Sequence, residues 1–375
     1  MGLFNLLKKK KDEYTNTPIK EKQIESKPTL IPDFDIPNLT FLKASSYKSA
    51  NGLYPHEILM LSYATKFKLL DNDFQRFWLY RYGVRKPEKI LEKLYGENFI
   101  EPCNLEQVLE KQTVAVLKNE LKCINEKVTG TKKVLVQRLL ENGDLEGLEK
   151  KYSNRFYSLT DKGQQELTEN EYVLYLHRKS YMDIWEMNKM IYESKSNPKQ
   201  YRDILWKYFN SKSLEYSKNC EFGIYRLIRY NMYSFVLEEN LYEQAFLLLS
   251  EVVYYDISGL GNSDISWIKG GNFEYKFFLK LLLQSAFPYE SSIFRIPPLI
   301  IKDLLNLKKL LNLNEKEFEE KLISNLKKFA LPFHMFTLDE SVEIIINEMN
   351  QDKEKVELIY NKAEERIKKE YNSIK

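Results

Sequence analysis

Residues 113–139 read TVAVLKNELKCINEKVTGTKKVLVQRL and contain the clearest structural pattern in this chain of 375 residues. Their apolar side chains recur at intervals of three and four, which is the spacing of one face of a helix. These residues are Val114, Leu117 and Leu121 in the first half and Leu135 and Leu139 in the second. The stretch predicts two short helices whose apolar faces pack together, with Val128 beneath the loop that joins them.

The loop between these helices ends in residue types that favour a turn followed by a helix. Gly130 permits the backbone angles of a tight turn. Thr131 is predicted to cap the second helix, its hydroxyl accepting from the first free amides. Neither helix has the Glu that completes a capping box, because Val116 and Val134 occupy those positions. Free amides and the helix dipole predict an anion site here.

Positive charge is concentrated in the same stretch. From Lys111 to Arg138 there are seven basic and two acidic residues, a net charge of +5, whereas the whole chain carries +3. We expect five of these side chains to neutralise phosphates, and the amides around Gly130 and Thr131 to hold one phosphate directly. The five are Lys118, Lys122, Lys132, Lys133 and Arg138. The alternative is a structural helical hairpin whose lysines are only solvated.

The stretch resembles the SAP motif, a helix–extended loop–helix module that binds DNA. The matching residues are Thr113-Val114-Ala115, Leu117-Lys118, Glu120-Leu121-Lys122, Val128, Gly130-Thr131-Lys132, Leu135 and Arg138-Leu139. The chain departs from the family at Asn125-Glu126-Lys127, where Gly-Leu-Pro is frequent, although Asn tolerates a left-handed conformation. The resemblance implies a nucleic-acid partner, with DNA favoured, and contacts mainly to the phosphate backbone.

The remaining composition limits the class of protein. The 57 basic and 54 acidic residues nearly balance, so any contact with nucleic acid must be local. Three cysteines without a CxxC pair predict reduced thiols and a cytoplasmic protein. No secretory signal or membrane-spanning run is visible. Abundant Lys, Asn, Ile and Tyr suggest a bacterial or phage origin.

Two further predictions concern the residues on either side of this stretch. Residues 1–50, which include Lys8–Lys11, are predicted to be a disordered basic arm and linker. This arm could touch an anionic membrane surface or nucleic acid, or it could be only a frayed chain end. Residues 51–102 and 152–170 resemble a winged-helix unit, with residues 103–151 inserted at its wing tip.

The winged-helix prediction depends on three helices and two strands. The helices run from Pro55 to about Leu69, from Asp71 to Tyr80 and from Pro87 to Tyr95, and the strands are Phe99-Ile100 and Tyr157–Leu159. Residues 155–163 are similar to the tyrosine-leucine-threonine-x-x-glycine strand that closes many bacterial wings. The third helix begins among Arg81, Arg85, Lys86, Lys89 and Lys93. It is either a recognition helix or an internally packed one.

Residues 171–375 are predicted to form an all-α domain, so the fold class is mainly α. Helices are expected at 172–194, at three places within 199–255, and at 272–285, 298–311, 315–328, 338–348 and 352–372. This part could bind a partner protein, which makes an interaction scaffold the second functional hypothesis.

No catalytic or cofactor motif is evident. His56, His177 and His334 lack the neighbours of a zinc site, and Gly130-Thr131-Lys132 lacks the upstream glycine of a phosphate-binding loop. Asp256 and Asp264 flank a glycine-rich loop and are the one candidate metal site of an alternative enzyme hypothesis. We expect a non-enzymatic protein without a cofactor or resident metal.

Overall fold

The computed structural model describes residues 36–261 and 272–374, which form nineteen α-helices and two short strands. The predicted fold class, mainly α, is confirmed. No helix in this part of the chain is long and apolar enough to cross a membrane. The predictions for residues 1–35 and for Asp264 lie outside the described residues.

The first elements surround a small antiparallel sheet. They are α1 Leu39–Ala44, α2 Pro55–Tyr63, α3 Phe77–Tyr80, α4 Glu88–Gly96, β1 Ile100–Pro102, β2 Tyr157–Leu159 and α9 Asp161–Glu169. Ile100 lies opposite Leu159 in the sheet, so the predicted pairing of the two strands is confirmed. Lys68 forms a further antiparallel bridge with Phe156 on the other side of β2.

Residues 36–50 are ordered, which corrects their prediction as part of a disordered arm. The Asn38 side chain accepts from the amide of Phe41 at 3.2 Å and caps α1. Tyr47 stacks on Tyr192 with ring centroids 4.9 Å apart, and its amide donates to Asn188 Oδ1 at 2.8 Å. The two contacts of Tyr47 reach residues more than a hundred positions away in sequence, so local composition did not reveal them.

The helix predicted from Asp71 to Tyr80 was wrong over its first half, since α3 begins only at Phe77. The Asn72 side chain binds the backbone of Lys68 twice, accepting from its amide at 2.7 Å and donating to its carbonyl at 2.6 Å. Such side-chain bonds compete with helical ones. Asp71 also adopts a positive φ of 59°, which ends any helix there.

Residues between the strands form four helices with their own core. The helices are α5 Leu105–Lys111, α6 Val114–Cys123, α7 Lys132–Asn142 and α8 Leu145–Lys151. The core residues are Leu105, Leu109, Leu117, Leu121, Leu135, Val136, Leu139 and Leu148. Val114 is 41 % exposed, so its predicted place in the apolar stripe was wrong. Val128 packs against this core as predicted.

The rest of the described chain is helical. Its helices are α10 Tyr172–Lys179, α11 Ile184–Glu193, α12 Tyr201–Asn219, α13 Phe222–Glu238, α14 Tyr242–Ser258, α15 Asn272–Ser285, α16 Pro298–Leu310, α17 Glu315–Leu326, α18 Leu338–Met349 and α19 Lys353–Ser373. The helix predicted at 172–194 is instead two helices. Ser180 adopts a left-handed φ of 55°, and Asp183 caps α11 by accepting from the Trp185 amide at 2.7 Å.

A larger core joins the elements before and after residue 170, extending from Leu53 to Ile367. This shared core crosses the domain boundary predicted between residues 170 and 171, and that boundary stays a prediction.

Two ion pairs between α13 and α14 are nearly inaccessible to water. Arg226 binds Asp256 in bidentate fashion at 2.7 and 2.6 Å, and Arg229 binds Glu251 at 2.5 Å.

His177 lies in a cluster that connects α10 to the first elements. Its Nε2 is 3.0 Å from the Tyr63 hydroxyl, and its Nδ1 is 2.7 Å from the Tyr82 hydroxyl. Arg81 donates to the His177 carbonyl at 2.9 Å. Burial, together with the charges of Arg81 and Arg178, lowers the pKa of His177 from 6.5 to about 4. The neutral ring therefore contributes to folding.

We expect the stability from His177 to be complete above pH 6.5 and to be lost as the pH falls towards 4, because the unfolded chain takes up the proton first. Urea unfolding measures this effect at pH 7.5 and at pH 5. Between these two pH values, the free energy of unfolding should fall by about 1 kcal/mol more in the native chain than in His177→Gln, after allowance for partial solvent screening. Equal losses in the two proteins would contradict this role.

Candidate nucleic-acid interface

The unit between the strands presents the N-terminus of α7 beside an extended loop. Thr113 caps α6, its hydroxyl accepting from the amide of Val116 at 3.3 Å. Asn125 follows α6 with a φ of 58°, and the next amide, of Glu126, donates back to Leu121 at 2.8 Å. Asn125 therefore provides the left-handed turn expected of it where the family often has glycine.

Gly130 lies at the point where the loop enters α7. Its φ is +134°, and an added Cβ would lie 3.0 Å from Val134 Cγ1. A residue with a side chain is strained in this conformation, so glycine is required by the turn as predicted.

Thr131 occupies the N-cap position of α7, but its side chain makes no capping hydrogen bond. The predicted bond from its hydroxyl to the first amides was therefore wrong, although the position of the helix start was right. With a β-branched Val134 at the third helical position and no acidic residue in the first turn, nothing from α7 itself neutralises this end. The end thus keeps its partial positive charge.

Arg138 forms hydrogen bonds to the loop. Its guanidinium Nη1 donates to the carbonyls of Thr129, at 3.2 Å, and of Lys127. Two carbonyl contacts from this one nitrogen fix the loop against α7. A phosphate contact by Arg138 remains a prediction, whereas its contacts in the structure place it as a support for the loop.

Five lysines around the loop have no ion-pair partner among the described residues. Lys118 is half-buried, and the other four are exposed; the four are Lys122, Lys127, Lys132 and Lys133. Lys127 was counted in the charge of the segment but not chosen as a site residue. Its place in the loop, next to the predicted lysines, was the signal that could have identified it.

The two carboxylates of the segment have hydrogen-bond partners other than the lysine side chains around the loop. Glu120 accepts from Lys151 at 2.6 Å and from the Tyr152 hydroxyl at 2.9 Å. Burial and this carboxylate raise the pKa of Tyr152 to about 12. Glu126 accepts from Asn142 Nδ2 at 3.1 Å. Neither carboxylate forms an ion pair with the five lysines around the loop among the described residues, and only that of Glu120 is neutralised by another cation.

The basic residues near α4 are divided between internal and exposed positions. Lys93 binds Glu57 at 2.7 Å, and Arg81 donates to a carbonyl of α10. Lys86 and Lys89 are exposed. The helix therefore packs internally at its C-terminal half, and its N-terminal end remains accessible.

The described residues contain no group of three or more His, Cys, Asp or Glu side chains suited to a metal ion. Asp256, one half of the candidate metal site, is 3 % exposed and bound by Arg226. Its carboxylate is thus already occupied by a guanidinium.

Part of the inserted unit is similar to a known family. Residues 108–142 match the SAP domain, which is generally a DNA-binding module. The match begins within α5 and ends with α7, so it includes both predicted helices, the loop and all seven predicted contact residues. No curated protein matches this chain.

Proposed function

We propose that this protein binds double-stranded DNA, without catalysis, through the α6–loop–α7 surface. Lys118, Lys122, Lys132 and Lys133 neutralise phosphates, and the open amides at the start of α7 accept one phosphate oxygen. Arg138 holds the loop in the shape that this contact needs. A role as an accessory protein of a phage or mobile element is part of the proposal and is supported by composition alone.

One observation carries the proposal: a helix N-terminus without a side-chain cap or an acidic residue in its first turn, surrounded by lysines that form no ion pair within the described part of the chain. A small core supports this surface independently of the large one. Of the segment's two acids, Glu120 pairs with Lys151, and Glu126 binds the Asn142 amide and no lysine side chain among the described residues. The arrangement suits a polyanion with regularly spaced phosphates.

The element order around the insertion also supports a winged-helix-like unit as part of the proposal. Helix α2 is followed by the bridge at Lys68, then α3, α4, β1 and β2. Residues 103–156 then occupy the place of the wing. The scaffold hypothesis remains the alternative, and the described helices after residue 171 would supply its partner surface.

The test of DNA binding is a salt titration with the full chain and a fluorescent duplex. With about four or five phosphates neutralised, the slope of log K against log salt should be about −4, so affinity should fall roughly 200-fold between about 50 and 200 mM salt. Duplexes of unrelated sequence should bind about equally, because the contacts are to the backbone. A slope near zero would refute the proposal.

Arg138→Lys separates support of the loop from direct phosphate contact. The lysine keeps the positive charge, but its shorter side chain ends before the position of Arg138 Nη1, the one nitrogen that donates to both carbonyls. We expect Arg138→Lys and Arg138→Ala to weaken duplex binding by a similar factor, about 10-fold, since each loses both loop hydrogen bonds. Fluorescence anisotropy at fixed salt measures both variants. Normal binding by Arg138→Lys alone would show that the charge, and not the loop, matters.

A further inference from the structure

A cavity of about 320 Å³ lies where α2 and α9 meet α10 and α12, away from the inserted unit. Its volume is within the range of sites for small molecules. Five side chains of its wall are apolar or aromatic, and together they come from all four helices. They are Ile58, Leu167, Leu174, Tyr175 and Tyr201. A wall of this kind favours a ligand with an apolar body.

One face of α10 brings two opposite charges to this cavity. Four residues of the face line it at intervals of three and four, and they are Glu171, Leu174, Tyr175 and Arg178. Glu171 is the N-cap residue of α10, and Arg178 lies in its last turn. Seven helical positions span about 10.5 Å, so the apolar part of the face lies between the acid and the base.

The side chains of Glu171 and Arg178 have no ion-pair partner among residues 36–261 and 272–374. Both are exposed, so a ligand in the cavity can contact them without any rearrangement. The other cation at the cavity, Lys179, is bound by Glu238, which also accepts from the Tyr175 hydroxyl at 2.8 Å. The free charges of the cavity are therefore one carboxylate and one guanidinium, which together match a zwitterion.

We propose that this cavity binds a zwitterionic dipeptide with aliphatic side chains. Its carboxylate contacts the guanidinium of Arg178, its ammonium contacts the carboxylate of Glu171, and its side chains pack against the apolar wall. An extended dipeptide spans about 7 Å, and the two long side chains cover the rest of the distance along α10. A free amino acid has both charged groups on one carbon and is too short to meet both residues. This site is independent of the proposed DNA contact at α7.

The test is isothermal titration calorimetry of the full chain with leucyl-leucine at constant ionic strength. We expect saturable binding with a dissociation constant below about 1 mM. Leucyl-leucinamide lacks the carboxylate and acetyl-leucyl-leucine lacks the ammonium, so each should bind at least about 10-fold more weakly. No saturable binding of leucyl-leucine, equal binding of the three compounds, or tighter binding of free leucine would overturn the proposal.

Two neutral variants assign the end groups of the ligand. In Arg178→Gln, leucyl-leucine and leucyl-leucinamide should bind equally well, while acetylation should still weaken binding by about 10-fold. Glu171→Gln should show the reverse, because only the contact with the ammonium is lost. Both side chains are exposed, and thermal unfolding checks that neither change affects the fold.

The matched control is Arg76→Gln with Glu186→Gln, which removes one exposed base and one exposed acid outside the cavity. It should leave the affinities of all three compounds unchanged. Weakening by the control equal to that of the cavity variants would mean a general charge effect. That result, or the native order of affinities in both cavity variants, would overturn the proposal, whatever the result for DNA.

Discussion

Replacing Lys132 and Lys133 together by glutamate should lower the affinity for duplex DNA by at least about 100-fold at moderate salt. The change removes two phosphate contacts at the open end of α7. It also places two carboxylates where the amides of the first turn can bind them, so the protein would occupy its own anion site. Both side chains are exposed, and the fold should not change.

Fluorescence anisotropy with the full chain measures this effect, and thermal unfolding checks the fold. The matched control is Lys207→Glu with Lys218→Glu, two exposed lysines on α12 that give the same change in net charge. If the control weakens DNA binding as much as the α7 pair does, overall charge explains the result and the proposed surface is wrong. Unchanged binding by the α7 variant would exclude this surface directly.

Asp256→Ala should cost about 3–5 kcal/mol of the free energy of unfolding, the largest stability effect that we expect. The substitution leaves the guanidinium of Arg226, whose side chain is only 16 % exposed, without its carboxylate. Asp256 itself is 3 % exposed, so water cannot easily replace the lost carboxylate. The cost comes from the cation left behind more than from the lost attraction.

Urea unfolding of Asp256→Ala and of two control variants, each compared with the native chain, measures this cost. Arg226→Met with Asp256→Leu removes both charges and should recover much of the stability, since replacing a buried pair by apolar residues is often nearly neutral. Glu320→Ala breaks an exposed pair with Lys316 and should change stability by less than about 0.5 kcal/mol. A small loss in Asp256→Ala would show that water reaches Arg226.

The sequence predicted most helices after residue 199 to within two residues of their ends, because long periodic segments there are separated by clear breaks. The strand pair was also predictable from its residues. The break at Ser180 was not, because it depends on a left-handed residue and the Asp183 cap within an apolar run. The flanking helices α5 and α8 were missed as well, since each has only seven residues.

The candidate site was predictable in position but not in its contacts. Spacing identified Leu117, Leu121, Leu135 and Leu139 as core residues, and the charge count identified the lysines. The attachment of Arg138 to loop carbonyls nine and eleven residues away depends on how the loop folds back, which spacing alone does not determine. The same holds for the carboxylate of Glu120, whose partners lie on and just after α8.

The separate core of the inserted unit has a consequence for cooperativity. Cys103 and Phe156, at its two ends, are joined by a hydrogen bond of 2.8 Å between the Cys103 amide and the Phe156 carbonyl. The unit therefore leaves and rejoins the body at neighbouring points, and its eight core residues are distinct from those of the larger cluster. Cooperative units with their own core can open separately, so we expect this unit to unfold and refold while the body stays native.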